Sequence, residues 1–185
     1  MLTAVSVGAT SAYAFDADKV PDKKRSSLAL YLSAPEAYEL ATKEKVLFID
    51  VRTRAEVNFL GMPTVADANI PYMELDPMYA WDEKKGVFKM DPNSGFVTEV
   101  EARLAEKGLT RDSKVVLICR SGDRSAKAVD LLAKVGYKRV YSVVDGYEGD
   151  QAKDGPNKGQ RVVNGWRNSN LPWSYDLAKQ KMYTE

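Results

Sequence analysis

The chain has 185 residues, 44% of them hydrophobic and 29% charged, the balance of one ordinary folded domain rather than of a disordered segment. Its 27 basic and 26 acidic residues leave a formal net charge of +1, so no broad positive field exists to hold nucleic acid, and no apolar run is long enough to span a bilayer. Histidine is absent and Cys119 is the one cysteine, which excludes Ser-His-Asp triads, Cys-His dyads, internal disulfides and histidine- or cysteine-rich metal centres within this chain.

Residues 1–14 carry no charged side chain and end in Ala12-Tyr13-Ala14, the small-x-small pattern of a signal-peptidase site. Acidic, polar sequence follows at Phe15-Asp16-Ala17-Asp18, and the basic opening of a complete signal is missing. The segment reads as a truncated leader remnant, and the expected location is periplasmic or secreted. In an oxidising compartment cysteines usually pair, so a solitary one points to a free reactive thiol.

Residues 15–32 read as an N-terminal extension with a short amphipathic helix over Ser26–Leu32. Ser33 is placed to cap a second helix through Lys43, with Glu36 completing a capping box. The continuous apolar run Val46-Leu-Phe-Ile-Asp50-Val51 suits a strand covered on both faces. Ala68-Asn69-Ile70-Pro71 is a shorter strand, and residues 72–92 contain a small hairpin around Glu83-Lys-Lys-Gly86. Aromatic residues of this stretch, Tyr72, Tyr79 and Trp81, are expected to pack a long loop onto the core. A helix follows from Gly95 to Lys107, stopped by Gly108, and then the apolar strand Val115-Val-Leu-Ile-Cys119. A helix over Ser125–Val135, a strand over Val140–Val144, a loop over 145–165 and a last helix over Ser174–Tyr183 complete the pattern. Strands alternating with helices argue for an α/β fold of three layers, a central mostly parallel sheet with helices on both faces.

Chemistry concentrates at Cys119-Arg120-Ser121-Gly122-Asp123-Arg124-Ser125, the junction of a strand with a helix. The carboxyl ends of parallel strands are the favoured ligand site of such sheets, and the helix N-terminus adds backbone N–H donors and partial positive charge. Arg120 and Arg124 contribute two full charges, partly offset by Asp123, and Gly122 permits a backbone turn that other residues rarely make. A thiol at the mouth of this loop is expected to ionise more readily than free cysteine and to attract anions. A cysteine at a strand end is commonly core filler; the coincidence of thiol, arginines and glycine within six residues outweighs that reading here.

This segment, followed by a helix and Gly136-Tyr137-Lys-Arg-Val-Tyr, resembles the active-site loop of single-domain rhodaneses, the sulfurtransferase family, and Gly146-Tyr-Glu-Gly-Asp150 followed by Asn164-Gly-Trp and Leu171-Pro-Trp resembles their exported bacterial members. Upstream, Phe48-Ile-Asp50-Val-Arg52, Glu56 and Ala68-Asn69-Ile70-Pro71 match further landmarks of the family. The resemblance covers residues 33–173, leaving 174–185 as a C-terminal tail. It implies a rhodanese-like fold and a persulfide enzyme that needs no cofactor and no metal. The Cys119 thiolate would take a sulfane sulfur from thiosulfate or a similar donor and pass it to a thiophilic acceptor, cyanide in an assay or a thiol or carrier protein in the cell. Arg120 and Arg124 would hold the donor's anionic oxygens, with Ser121, Gly122, Asp123 and Ser125 forming the rest of the binding loop. The partners so implied are a small anionic donor and a thiol or sulfur-carrier protein, with a monomeric chain. Asp50 and Arg52 are expected to be structural, Arg52 pairing with Glu56.

Two other readings compete. A non-catalytic rhodanese-like module would carry sulfur or bind a redox partner. A cysteine-based phosphatase or arsenate reductase would use the same scaffold, but Cys119 and Arg124 have four residues between them where phosphatases have five, Ile118 stands where they have histidine, and a resolving cysteine is absent. The chain departs from the family at Gly61-Met62-Pro63, in place of Gly-His-Ile, and at Asp145-Gly-Tyr-Glu-Gly149, in place of Gly-Gly with a nearby tryptophan. Residues 150–164, with Lys153, Lys158 and Arg161, read as an insertion near the rim of the site, either a lid or docking loop or a tolerated surface addition.

Overall fold

The two longest apolar runs lie side by side at the centre of a parallel sheet. The computed structural model describes residues 15–184; the leader expected over 1–14 lies outside the described residues. In chain order the elements are β1 (Tyr31–Leu32), α1 (Ala34–Lys43), β2 (Leu47–Asp50), α2 (Arg54–Leu60), β3 (Met62–Pro63), β4 (Ala68–Asn69), β5 (Met73–Leu75), β6 (Trp81–Asp82), β7 (Val87–Phe88), β8 (Met90–Pro92), α3 (Phe96–Glu106), β9 (Val115–Ile118), α4 (Asp123–Lys134), β10 (Val140–Val143) and β11 (Trp173–Ser174). The main sheet has the order β1-β10-β9-β2-β4, with every neighbouring pair parallel. No helix among the described residues is long and apolar enough to cross a membrane.

Alternation along the strands explains why both central runs are apolar throughout. Leu47, Ile49, Leu117 and Cys119 point to one side, onto Phe96, Val100 and Leu104 of α3 and Ala128, Val129 and Leu132 of α4. Phe48, Val116 and Ile118 point to the other side, onto Ala34, Ala37 and Leu40 of α1 and Val57 of α2. The three-layer α/β architecture is therefore the one expected. Trp166, fully buried, packs edge-on against Phe48 and Tyr38, so the return of the chain after the 150–164 insertion is anchored in the core as the sequence suggested.

Two expected elements differ. Ser26–Leu32 is not a helix: Ala29 closes a turn onto Ser26, and Tyr31 and Leu32 join the sheet edge beside Ser142 and Val143. Pairing to the sheet buries Leu32 completely, which a free amphipathic turn would not do. Ser174–Tyr183 is likewise not a helix. Trp173 and Ser174 pair with Met62 and Pro63, Met182 bridges to Asn69, and only Lys179–Lys181 forms a 3-10 turn. The tail thereby covers the exposed edge of β4, a stronger demand than its own helical spacing. The small hairpin is present as β6 and β7, flanked by a second pair, β5 with β8. Of the three aromatic residues expected to pack inward, Tyr72 does so, edge-on to Phe96 in the core, whereas Tyr79 is 61% exposed and Trp81 46%, each edge-on to Phe88.

Candidate active site

Strand β9 ends at Ile118, and α4 begins at Asp123, two residues earlier than its sequence pattern indicated. Asp123 and Arg124 therefore lie in the first helical turn, and the connecting loop is only Cys119 to Gly122. Gly122 is the N-cap, at φ +97°; a Cβ there would sit 2.2 Å from the Val144 carbonyl oxygen, so glycine is required for the loop to close against β10. This tight turn brings the Gly122 N–H to the thiol, donating to Cys119 Sγ at 3.1 Å.

Beneath the sulfur, the Cys119 thiol donates to Ser125 Oγ at 3.4 Å. Ser125 Oγ in turn donates to the Gly122 carbonyl at 3.1 Å and shares a 2.9 Å hydrogen bond with Ser142 Oγ. Ser125 is fully buried and does not line the cavity, so it positions the thiol and holds the loop instead of touching a substrate. A hydroxyl can rotate from accepting to donating, which lets Ser125 serve both thiol and thiolate.

Cys119 is 1% exposed yet is among the residues lining a cavity of about 570 Å³. Arg120, Ser121, Asp123 and Arg124 line the same cavity, joined by Thr53 and Glu56 and by an apolar wall from Phe59, Leu60, Leu75, Val87, Phe88 and Met90. That wall had no signal in the sequence, because the hairpin reaches the site through space only.

The arginines are not free. Arg124 makes a bidentate pair with Glu56, both contacts at 2.6 Å, and Arg120 Nε donates to Glu148 at 2.5 Å. Asp123 pairs with Lys127 one turn on. Burial raises the Glu56 carboxyl, but the Arg124 guanidinium and the Thr53 backbone N–H outweigh it and hold the carboxyl at about 2. Burial alone would lower the Arg124 guanidinium; Glu56, and secondarily Cys119, raise it instead. The expected Arg52–Glu56 pair is thus corrected. Arg52, fully buried under the Tyr147 ring, binds Asp50 at 2.6 Å and the Gly61 carbonyl at 2.7 Å, since Asp50 lies two residues away on the same strand end.

Glu56 also caps α2, accepting from Thr53 N and Thr53 Oγ1, each at 3.0 Å. The capping spacing Thr53-x-x-Glu56 is visible in the sequence; its partnership with Arg124, 68 residues on, is not. The residues just before segment 150–164 touch the loop: Glu148 N and Gly149 N both donate to the Arg120 carbonyl, at 3.0 and 3.3 Å, while no residue of 150–164 lines the cavity itself.

Residues 33–153 match the family model described as a Rhodanese-like domain. Uncharacterized protein RP600 of Rickettsia prowazekii is 28% identical over 137 residues, which span 74% of this chain and 89% of that protein. Rhodanese-like domain-containing protein 4, chloroplastic, of Arabidopsis thaliana is 26% identical over 167 residues, 89% of this chain and 30% of that longer protein. Among solved structures, Rv0390 from M. tuberculosis superposes with a TM-score of 0.58 at 26% identity, over 79% of this chain and 97% of that one.

Proposed function

From the premise that the chain belongs to the rhodanese-like domain family, we propose that it is a sulfurtransferase working through a persulfide on Cys119. The observation that carries this reading is the cysteine itself: Cys119 lines a cavity just before the N-terminus of α4, with a backbone N–H 3.1 Å from its sulfur. The Cys119 thiolate attacks the outer sulfur of a donor such as thiosulfate. The S–S bond of the donor breaks, and sulfite leaves with its electron pair. The Gly122 N–H supports the sulfur that carries negative charge, and no general base is needed once the thiol is ionised. An acceptor nucleophile, cyanide or a thiolate, then attacks the outer sulfur of the persulfide and returns Cys119 as thiolate.

Intact-mass measurement after incubation with thiosulfate tests the first half. A gain of one sulfur atom is expected in the wild-type chain and none in Cys119→Ser; an unmodified wild-type chain refutes the reading. Thiocyanate formation tests the second half. A second reading, a sulfur carrier or redox-partner module with little turnover, is favoured by the exposed apolar side chains Phe59, Met78, Trp81 and Phe88. Stable persulfide with no transfer to cyanide selects it. The phosphatase reading draws no support from Arg124, whose two terminal nitrogens are both held by Glu56.

A further inference from the structure

We propose that Arg161, carried by the 150–164 insertion, supplies the unbalanced positive charge that draws an anionic sulfur donor to Cys119. This rests on the sulfurtransferase reading above and assigns to the insertion a role the binding loop cannot fill. Arg120 and Arg124 are each held by a carboxylate, Glu148 and Glu56, so the loop by itself presents almost no net charge to a donor.

Arg161 is placed differently. Its Nη1 donates to the Gly149 carbonyl at 2.6 Å, while Gly149 N donates to the Arg120 carbonyl, so a single residue, Gly149, links the guanidinium to the active-site loop. No carboxylate of the described residues lies within ion-pair distance of it, and its Nε is buried without an acceptor. Burial and the neighbouring Arg120 loosen its proton, while Glu148, Asp150 and the Cys119 sulfur act in the other direction, which places all four groups within its field.

The acids around Arg161 are engaged by other cations. Lys24 holds Asp150, with Nζ 2.7 and 2.8 Å from the two carboxylate oxygens, and Arg120 holds Glu148. The two carboxylates that act on Arg161 are thus each already paired with another cation, and neither is an ion-pair partner of Arg161.

The guanidinium is also fixed in position. Asn168 Nδ2 donates to the carbonyls of Glu148, Arg161 and Asn164, tying both ends of the insertion together. A Cβ on Gly149, at φ +86°, would lie 1.8 Å from the Asn164 carbonyl oxygen, so the neck is packed backbone to backbone. Gln151 bridges to Arg161 and Ala152 to Lys158, giving the insertion its own internal order. A pinned cation acts on an approaching anion without the entropy loss of a mobile one. Lys153 and Lys158, exposed on the same insertion, provide the control for charge without placement.

The test compares alkylation of Cys119 by iodoacetate and by uncharged iodoacetamide. Both reagents attack the same thiolate, so the ratio of their rates reports local charge and cancels changes in ionisation. In Arg161→Gln the iodoacetate-to-iodoacetamide ratio should fall about fivefold, the effect of one charge several ångströms away in a partly screened site. Arg161→Lys should keep most of the ratio, and Lys158→Gln should leave it near wild type. The KM for thiosulfate should rise by a similar factor in Arg161→Gln, with kcat less affected. An unchanged ratio in Arg161→Gln, or an equal fall in Lys158→Gln, overturns the proposal. Failure of wild-type Cys119 to take up sulfur overturns the sulfurtransferase reading instead, and the alkylation ratio still decides whether Arg161 provides the field.

Discussion

Replacing Glu56 by glutamine separates what holds the site together from what it does. In the folded chain the Glu56 carboxyl lies at about 2, against an ordinary value of 4.5, because Arg124 and the Thr53 N–H outweigh the cost of burial. A carboxyl whose folded value lies below its unfolded one stabilises the fold fully above pH 4.5, and that contribution is lost as pH falls towards 2. The difference corresponds to about 3 kcal/mol at neutral pH. Both partners are well covered, with side-chain exposures of 21% for Glu56 and 12% for Arg124, so solvent screening removes little of it. Urea unfolding at pH 7 should therefore show Glu56→Gln less stable by about 3 kcal/mol, or a Tm lower by roughly 6–12 °C for a chain of this size. At pH 3 the wild-type carboxylate retains only about half of its advantage, and the gap should narrow to about 1.5 kcal/mol. The same substitution leaves Arg124 without its counter-charge beside Cys119, so the iodoacetate-to-iodoacetamide ratio should rise while stability falls. A stability gap that is the same at pH 7 and pH 3 would refute the reasoning, since glutamine cannot titrate and the wild-type pair must.

Two further outcomes follow from the same geometry. Gly122→Ala forces a Cβ to within 2.2 Å of the Val144 carbonyl at a φ of +97°, and should cost more than about 2 kcal/mol in thermal unfolding; a change below about 0.5 kcal/mol would show that the loop relaxes freely. Asp145 has the opposite sign to Glu56: burial raises its carboxyl to about 6, against the opposing Ala34 and Gly165 N–H groups. Its contribution is fullest below pH 3.8 and is lost as pH rises through 6, so wild-type stability should decline relative to Asp145→Asn over about pH 4 to 6, by up to about 3 kcal/mol. Thermal unfolding of both chains across that range checks it, and parallel curves would mean that Asp145 ionises as an ordinary carboxyl.

The layers of the fold were legible because burial on two faces leaves a mark in the sequence. Val46–Val51 and Val115–Cys119 are apolar at consecutive positions, and a strand with helices on both sides needs that. The Ser33 capping box was equally plain, since its two hydrogen bonds join residues three apart. What failed was local periodicity at the ends of the chain. Ser26–Leu32 and Ser174–Tyr183 have helical spacing, but each lies along a sheet edge where unpaired backbone groups require partners, and pairing won.

At the site, sequence proximity revealed the thiol and the turn that presents it, and concealed the charge. Six adjacent residues place Cys119, Arg120 and Arg124 together, and a chain read along its length credits both arginines to the cavity. The acids that neutralise them come from a helix cap 68 residues before Arg124 and a loop 28 residues after Arg120, so neither pairing has a local trace. Arg161 stands out in the sequence only together with Lys153 and Lys158, because nothing local distinguishes one cation of that segment from another. Its side-chain hydrogen bond to the Gly149 carbonyl and that residue's contact with Arg120 bring it next to the active-site loop, within the electrostatic reach of Cys119. The field at Cys119 is therefore set by the difference between three arginines and the carboxylates around them. A chain with the same loop but no Arg161 should bind an anionic donor more weakly even with every loop residue intact.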